Sequence, residues 1–215
     1  IEKIAYKPLR NCSSLTVLIT AIGVSYLLQN VALLIFGSDS KNFPSVVPDN
    51  WDIKTSVVNI SGETIVTLVV TVVIMIALTL FVNKTKTGKA MLAVSEDKGA
   101  AQLMGINVNR TISITFAIGS VLAAVASVLL CSTYPLLSPY TGAMPGIKAF
   151  TAAVFGGIGS IPGAMIGGVV LGLIESLSTA YISSQLSNAI VFSVLIIVLL
   201  VKPTGLLGKK INEKV

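Results

Sequence analysis

One stretch of the sequence decides the fold class: residues 65–82 read IVTLVVTVVIMIALTLFV, without a charged side chain. A helix needs about 20 predominantly apolar residues to cross the hydrocarbon core of a bilayer, and this run approaches that length. The stretch therefore predicts a membrane-spanning helix.

The composition of the whole chain agrees with a bilayer environment. Of the 215 residues, 53% are hydrophobic and 11% are charged, and the mean hydropathy is +0.89. A soluble domain carries about 25% charged residues, so this composition excludes an ordinary soluble surface. The sequence has no His, the commonest general base and metal ligand. Cys12 and Cys131 are far apart, which favours two buried reduced thiols over a disulfide or a metal site.

Further apolar runs extend the prediction to a bundle of helices. Spanning helices are expected at 15–36, 111–131 and 161–182, with a shorter one at 187–201. The run 111–131 is rich in Gly, Ala and Ser, which let helices approach closely in lipid. Residues 146–158 are apolar but too few to span comfortably, so they predict a short or re-entrant helix.

The expected fold class is all-α: a polytopic transmembrane bundle of about five spanning helices plus one short or re-entrant helix, in a single domain over residues 1–215. The chain opens at Ile1 without a Met and without the pattern of a signal peptide. Its first ten residues instead have the character of a basic loop that leads into the first apolar run. We therefore expect further residues before Ile1.

The distribution of Lys and Arg predicts the orientation, because cytoplasmic loops are enriched in these residues. The segment 83–110 and the tail are basic through Lys84, Lys86, Lys89, Lys98, Arg110, Lys202, Lys209, Lys210 and Lys214. The segment 38–62 instead holds Asp39, Asp49 and Asp52 against Lys41 and Lys54, together with Pro44, Pro48 and Trp51. Both ends and 83–110 are therefore expected in the cytoplasm, and 38–62 outside. With both ends in the cytoplasm the chain must cross the membrane an even number of times, which requires that 146–158 also crosses.

Within the basic segment, residues 95–105 have the features of a short amphipathic helix outside the membrane. Ser95 is a suitable N-cap, the next two residues are acidic, and Gly105 suits a left-handed C-terminal cap. One face at helical spacing would carry Ala100, Leu103 and Met104. Such a helix either lies on lipid headgroups or docks into a groove on another subunit.

Four stretches carry a specific resemblance to a known family. They are AYKPLR at 5–10, GKAMLAVSEDKGAAQLMGIN at 88–107, GIKAFTAAVFGGIGSIPGA at 146–164 and KPTGLLG at 202–208. In this order, and over essentially the whole chain, they resemble the branched-chain amino acid ABC permeases. Members of that family have further membrane helices before the equivalent of Ile1, which implies that the chain is the C-terminal part of a longer permease.

The resemblance implies a permease subunit of a bacterial inner-membrane importer for leucine, isoleucine and valine. Two homologous permease subunits would form the pathway, two cytoplasmic ATPases would power it, and an extracytoplasmic binding protein would deliver the substrate, with no nucleic acid involved. Residues 95–105 would be the coupling helix that the ATPases move. Its expected contact residues are Ser95, Glu96, Asp97, Ala100, Ala101, Leu103, Met104 and Gly105.

The chain carries no ATP signature of its own. Gly88-Lys89 lacks the Gly five residues earlier that a phosphate-binding loop has, since Asn83 stands there. In the turn that begins at Gly157, Pro162 stands where a dinucleotide fingerprint has its third Gly. We therefore expect a non-catalytic subunit without a bound cofactor, with ATP and Mg on the partner ATPases.

Glu175 is the acidic residue inside a predicted span, and such a position is costly enough to suggest a function. One hypothesis is that Glu175 faces the pathway, where it pairs with Lys148 or contacts the ammonium group of the substrate. The alternative is a purely structural ion pair. Further pathway candidates are Tyr134, Tyr140 and Gln29. The two tyrosines suit an interfacial belt almost equally well, and Gln29 suits a hydrogen bond between helices better than a pathway position.

A set of glycines is expected to serve close helix packing. Within it, Gly159, Gly163 and Gly167, and separately Gly168 and Gly172, recur every four residues, a spacing that in membranes mostly means close packing. The set comprises Gly156, Gly157, Gly159, Gly163, Gly167, Gly168 and Gly172. Direct contact with the substrate is the less favoured alternative.

Two other functions stay open at this point. A sister ABC permease for urea or another small solute would share the glycine-rich turn and the coupling loop. An ATP-independent channel or carrier would not need an exposed amphipathic helix at 95–105, which argues against that class.

Overall fold

The computed structural model describes residues 1–9, 12–44, 53–54 and 59–208. Arg10 of the AYKPLR stretch lies outside these ranges. So do several residues used in the orientation argument, namely Pro48, Asp49, Trp51, Asp52, Lys209, Lys210 and Lys214. The chain divides into two compact units, one comprising 1–71 and 80–142, the other 72–79 and 143 to the C-terminus.

The first unit contains most of the secondary structure. After one π-helical turn at Glu2–Tyr6, its helices are α1 (Ser14–Phe36), α2 (Gly62–Lys84), α3 (Lys86–Glu96), α4 (Lys98–Leu103) and α5 (Val108–Thr133). The middle of α2, at 72–79, belongs to the second unit. The described part of the connections contains four two-residue strands: β1 (Lys41–Asn42), β2 (Ile53–Lys54), β3 (Asn59–Ile60) and β4 (Leu136–Leu137).

Besides the middle of α2, the described part of the second unit contains three helices: α6 (Ala143–Gly156), α7 (Ile161–Tyr181) and α8 (Ser187–Val201). Its buried apolar residues are Ala152 and Phe155 on α6, Leu171 on α7 and Val191 on α8. Because all three helices contribute to this one cluster, the unit has a small core of its own.

The apolar runs form the predicted helices. In the described part of the chain, α1, α2, α5 and α7 are each long and apolar enough to cross a membrane. With 15 residues, α8 is shorter, and at 1.5 Å per residue it covers about 22 Å of a hydrocarbon core of about 30 Å. The segment predicted to be short or re-entrant is α6, with 14 residues. The protein is therefore an all-α, multi-pass membrane protein, and the number of crossings stays a prediction.

Polar side chains fix the first turns of several helices. The side-chain oxygens of Ser13, Thr85, Asn107 and Ser160 each accept a hydrogen bond from a backbone amide in the first turn of the helix that follows. Such caps satisfy amides that have no partner inside the helix. They explain why the helices begin directly after these residues.

Two contacts order the connections of the first unit. Strand β1 pairs with β4 in antiparallel register, Lys41 opposite Leu137, and the amide of Phe43 donates to the carbonyl of Pro135 over 2.8 Å. The loop after α1 is thus held to the loop after α5. At the other end of α5, the ring of Tyr6 packs on that of Phe116, with centroids 5.0 Å apart.

The two cysteines differ from the prediction in one respect. Cys131, near the end of α5, is buried as expected, whereas Cys12 is exposed. Cys12 lies in the connection just before α1, and it is not part of the apolar run that forms that helix.

Candidate functional site

Lys148 and Glu175 form an ion pair inside the second unit. The ammonium Nζ of Lys148 on α6 donates to the carboxylate Oε1 of Glu175 on α7 over 2.6 Å. The side chains are 29% and 36% exposed, respectively. The structure thus brings together the two charges that the sequence singled out, and it leaves them in part accessible.

Neighbouring hydroxyls hold the backbone on both sides of this pair. Thr151 Oγ1 donates to the carbonyl of Lys148 over 2.8 Å. Thr179 Oγ1 and Ser187 Oγ donate to the carbonyl of Glu175 over 2.8 and 3.2 Å. Because Ser187 is the first residue of α8, the position of Glu175 is tied to all three helices of the unit.

The ion pair lies at the edge of an open cavity of about 200 Å³. The polar lining consists of Lys148, Glu175 and Thr151, and the apolar lining includes Ala152, Gly168, Leu171, Gly172 and Val191. Small-molecule sites share such a lining of apolar walls with a few polar groups, and they are usually larger, about 300–1,000 Å³. We call this one the Lys148–Glu175 cavity.

Toward the Gly156 end of α6, the backbones of α6 and α7 come close enough to touch. A Cβ atom built on Gly156 would overlap the carbonyl group of Gly163, and one on Gly167 would overlap the carbonyl oxygen of Ala152. Gly163 is equally crowded, with a Cβ placed 2.5 Å from the carbonyl oxygen of Gly156. These three glycines lie at a close contact between the two helices.

The remaining glycines of the predicted packing set have other surroundings. Gly157 and Gly159 adopt positive φ angles of +109° and +89°, which residues with a Cβ rarely adopt. A Cβ on Gly168 would make ordinary contact with Ala152 at 3.9 Å. Among the described residues, nothing lies within 4 Å of a Cβ built on Gly159 or Gly172. Close packing therefore does not account for these two, since Gly159 serves a turn and Gly172 lines the cavity.

Residues after α8 form hydrogen bonds with the last carbonyl groups of α6. The amides of Leu206 and Leu207 donate to the carbonyl oxygens of Phe155 and Gly156, each over 2.9 Å. A helix leaves its last carbonyls without internal partners, and the tail supplies two of the missing donors. The glycine-rich turn and KPTGLLG, which the sequence gives as separate motifs, therefore form one structural element. Sequence reasoning missed this contact, because backbone hydrogen bonds leave no side-chain signal.

The segment 95–105 differs from the predicted single helix. Asp97, in extended conformation, ends α3 and caps α4, and its Oδ1 accepts from the amides of Gly99 and Ala100 over 2.7 and 3.0 Å. Ser95 is not the N-cap: it lies in the last turn of α3 and its hydroxyl donates to the carbonyl of Leu92. Helix α3 is already in progress from Lys86, so Ser95 and Glu96 finish it.

The end of α4 has the predicted cap and an exposed apolar tip. Gly105 has a φ of +80°, and the amides of Gly105 and Ile106 donate to the carbonyls of Gln102 and Ala101, which is a Schellman ending. Ala101 is 4% exposed, whereas Leu103 is 91% exposed and Met104 83%. Helix α4 therefore buries Ala101 against the protein and exposes two large apolar side chains, Leu103 and Met104.

The other pathway candidates lie apart from the ion pair. Tyr134 and Tyr140 are exposed in the loop between α5 and α6. Gln29 is half-buried on α1, and its Nε2 donates to Ser25 Oγ over 3.4 Å within the same helix. Asn30 likewise donates to the carbonyl of Tyr26. The expected bonds between helices are thus bonds along α1, because the carbonyl and hydroxyl one turn earlier lie within reach. In the described ranges, no group of three His, Cys, Asp or Glu side chains could hold a metal ion.

Comparison with known proteins agrees with this architecture. The family model described as "Branched-chain amino acid transport system / permease component" matches residues 4–200. The chain is similar to the high-affinity branched-chain amino acid transport system permease protein LivH of Escherichia coli (strain K12), with 48% identity over 100% of this chain and 71% of the relative. The protein BraD of Pseudomonas aeruginosa, with the same description, is 46% identical over the same shares.

More distant relatives extend the comparison. A probable branched-chain amino acid transport permease protein LivH of Methanocaldococcus jannaschii is 31% identical over 97% of this chain and 69% of its own length. The autoinducer 2 import system permease protein LsrD of Escherichia coli O9:H4 (strain HS) is 28% identical over 91% of this chain and 62% of its own. No solved structure matches the chain.

Proposed function

The chain belongs to the family of branched-chain amino acid transport permeases, and from that premise we propose that it is the membrane-spanning permease subunit of an ATP-driven, binding-protein-dependent importer of leucine, isoleucine and valine. The observation that carries the proposal is identity of 46–48% with LivH and BraD over the whole chain. The described helices that are long enough to span a bilayer agree with it.

The choice of substrate rests on the relatives. The proteins at 46–48% identity are described as branched-chain amino acid permeases, whereas the autoinducer 2 permease is 28% identical. This difference favours branched-chain amino acids over urea or another solute. The polar and apolar lining of the Lys148–Glu175 cavity suits an amino acid as well.

We propose that α4 couples the permease to its ATPases. Leu103 and Met104 extend from a helix that Asp97 and Gly105 cap at its two ends, and a rigid apolar tip of this kind fits a groove on another protein. The ATPases would bind ATP and Mg, and this chain would contribute no catalytic group. The alternative, an interfacial helix on lipid headgroups, predicts that the ATPases bind without Leu103.

The orientation follows from the same assignment. If α4 meets cytoplasmic ATPases, the basic segment 83–110 and both ends of the chain face the cytoplasm of a bacterial cell, as the distribution of Lys and Arg indicates. The two loops that β1 and β4 join, one after α1 and the other after α5 with Tyr134 and Tyr140, then face outward. That surface is where the substrate-binding protein would dock. A homologous permease subunit would complete the pathway, with Gln29 as a further candidate for its lining.

Uptake measurements test the proposal. Vesicles would hold the permease in its full-length form with its co-expressed ATPases and binding protein, and uptake of labelled leucine would be followed with and without ATP. We expect uptake that requires ATP and that isoleucine and valine compete. ATP hydrolysis without leucine uptake would indicate an importer whose substrate is another solute. Uptake indifferent to ATP would replace the importer by a channel or carrier.

A further inference from the structure

We propose that the Lys148–Glu175 cavity is a transient site for the zwitterionic end of the amino acid during its passage, with the ion pair as its polar contact. The inference rests on the proposed function and names residues that would meet the substrate. It concerns the second unit alone, where every residue of the argument lies.

The ion pair is incompletely satisfied in the structure. Within the described part of the chain, it uses one of the three donors of the Lys148 ammonium and one of the two oxygens of the Glu175 carboxylate. Charges inside a membrane protein are costly unless they are paired and hydrogen-bonded, or reach water. A pair that served packing alone would be expected to fill these valences from protein groups. Here both side chains line the cavity and are 29% and 36% exposed.

The remaining hydrogen-bonding capacity of the ion pair is complementary to the carboxylate and the ammonium of an α-amino acid. Its carboxylate can accept from the free donors of Lys148, and its ammonium can donate to the free oxygen of Glu175. Both contacts would be charge-assisted hydrogen bonds, the stronger kind. Since the zwitterion and the ion pair are each neutral overall, binding adds no net charge to the apolar surroundings.

The rest of the cavity matches an aliphatic side chain. Ala152, Leu171 and Val191 are 8%, 5% and 1% exposed and form apolar walls. Gly172 adds space, because apart from its chain neighbours and the backbone of its own helix no described atom lies within 4 Å of the position that its Cβ would take. The volume of about 200 Å³ is several times the share of one water molecule in the liquid, which is about 30 Å³. The cavity is open, which suits a solute that must leave again.

Removal of both charges together tests the role of the pair. Replacing a buried ion pair by apolar residues of similar size is often neutral for folding, so the double variant Lys148→Met with Glu175→Leu should still assemble. We expect the ATPases still to co-purify with this variant, while the maximal rate of leucine uptake falls about tenfold or more. Uptake at the wild-type rate would overturn the proposal and leave the pair a structural one.

A labelling experiment tests occupancy without relying on transport. Gly172→Cys, in a background of Cys12→Ser and Cys131→Ser, places a thiol in the cavity of the full complex. We expect millimolar leucine to slow its reaction with a small maleimide severalfold. Isoamylamine and 4-methylpentanoate, which lack one charge each, should protect much less. Equal rates with and without leucine, or equal protection by all three compounds, would contradict the proposal.

The two proposals fail in different ways. If the wild-type complex takes up no leucine, the substrate assignment of the previous section is wrong. If the wild type takes up leucine and the double variant does so equally, only the site is wrong. Gly172→Val offers a third check, since it fills the cavity without meeting a described atom near its Cβ. It should slow uptake, whereas Gly23→Val on α1, whose Cβ is equally free of described neighbours, should not.

Discussion

The backbone amide of Leu206 donates to the carbonyl oxygen of Phe155 over 2.9 Å, so the tail after α8 completes the end of α6. The amide of Leu207 does the same for Gly156, and Lys202 Nζ holds the turn through the carbonyl of Leu206 over 2.6 Å. The chain therefore returns after α8 to a helix that ended about 50 residues earlier. These bonds join the end of α6 to the segment that follows α8.

Gly205 is one of the glycines on which this contact between the tail and α6 depends. Its φ is +75°, and a Cβ there would lie 2.7 Å from both the amide nitrogen and the Cα of Gly157. Gly205→Ala combines backbone strain with overlap, and we expect it to lower the free energy of unfolding by about 2–4 kcal/mol. Thermal unfolding of the detergent-solubilised complex measures the effect. Gly37→Ala is the control, because Gly37 has a φ of +81° with no described atom within 4 Å of a Cβ. Gly37 has a ψ of 179°, so Gly37→Ala should lose only the strain term, about 1–3 kcal/mol, and less than Gly205→Ala loses. Equal losses at both positions would show that the contact with Gly157 is unimportant.

Two adjacent glycines on α7 should respond in opposite directions to the same substitution. A Cβ on Gly167 would meet the backbone of Ala152 and Gly156, whereas one on Gly168 would make ordinary contact with the side chain of Ala152. We expect Gly167→Ala to destabilise by about 1–3 kcal/mol through overlap. Gly168→Ala should be neutral or stabilise by up to about 1 kcal/mol, since Ala is the better helix former. The midpoint of thermal unfolding distinguishes the two, and a loss of similar size at both would contradict the packing seen here.

The helices were predictable from the sequence because long apolar runs bounded by polar residues leave few alternatives in a bilayer. The ends of α8, at Ser187 and Val201, agree with the prediction, and α2 extends beyond its apolar run to Lys84. The contact of Lys148 with Glu175 was also within reach, since each is a charge in apolar surroundings that favour pairing.

Other features could not be derived from residue types alone. Ser95 and Asp97 both have the chemistry of an N-cap, and the choice between them depends on α3, which already occupies Ser95. The roles of Gly159 and Gly172 depend on the space around them, and a repeat of four residues does not reveal that space. The contact between Phe155 and Leu206 joins backbone atoms distant in sequence, for which side chains give no pattern.

The cap at Asp97 should control how well α4 is formed. Asp97 Oδ1 accepts from two amides of the first turn, so Asp97→Ala leaves both without that partner. We expect a loss of about 0.5–2 kcal/mol in local helix stability, whereas Asp97→Asn, which keeps a capping oxygen, should lose much less. Amide hydrogen exchange of the peptide covering α4 measures the change directly. Faster exchange in both variants alike would mean that the charge rather than the hydrogen bonds holds the helix.

The apolar tip of α4 should determine binding of the ATPases. Burying a leucine side chain contributes about 1.5–3 kcal/mol, which corresponds to roughly a tenfold to hundredfold change in affinity. Leu103 is 91% exposed in this chain, so Leu103→Ser should leave the permease folded. We expect it to weaken co-purification of the ATPases by about tenfold or more, with a parallel loss of ATP-dependent uptake.

Gln102→Ala is the matched control, because Gln102 is also exposed on α4 but carries no apolar surface of this kind. Binding of the ATPases measured with the two purified variants separates loss of the tip from general damage to the helix. If Leu103→Ser binds the ATPases as tightly as the wild type while Gln102→Ala does too, α4 is not their docking site, and its apolar tip then has the membrane surface as its remaining partner.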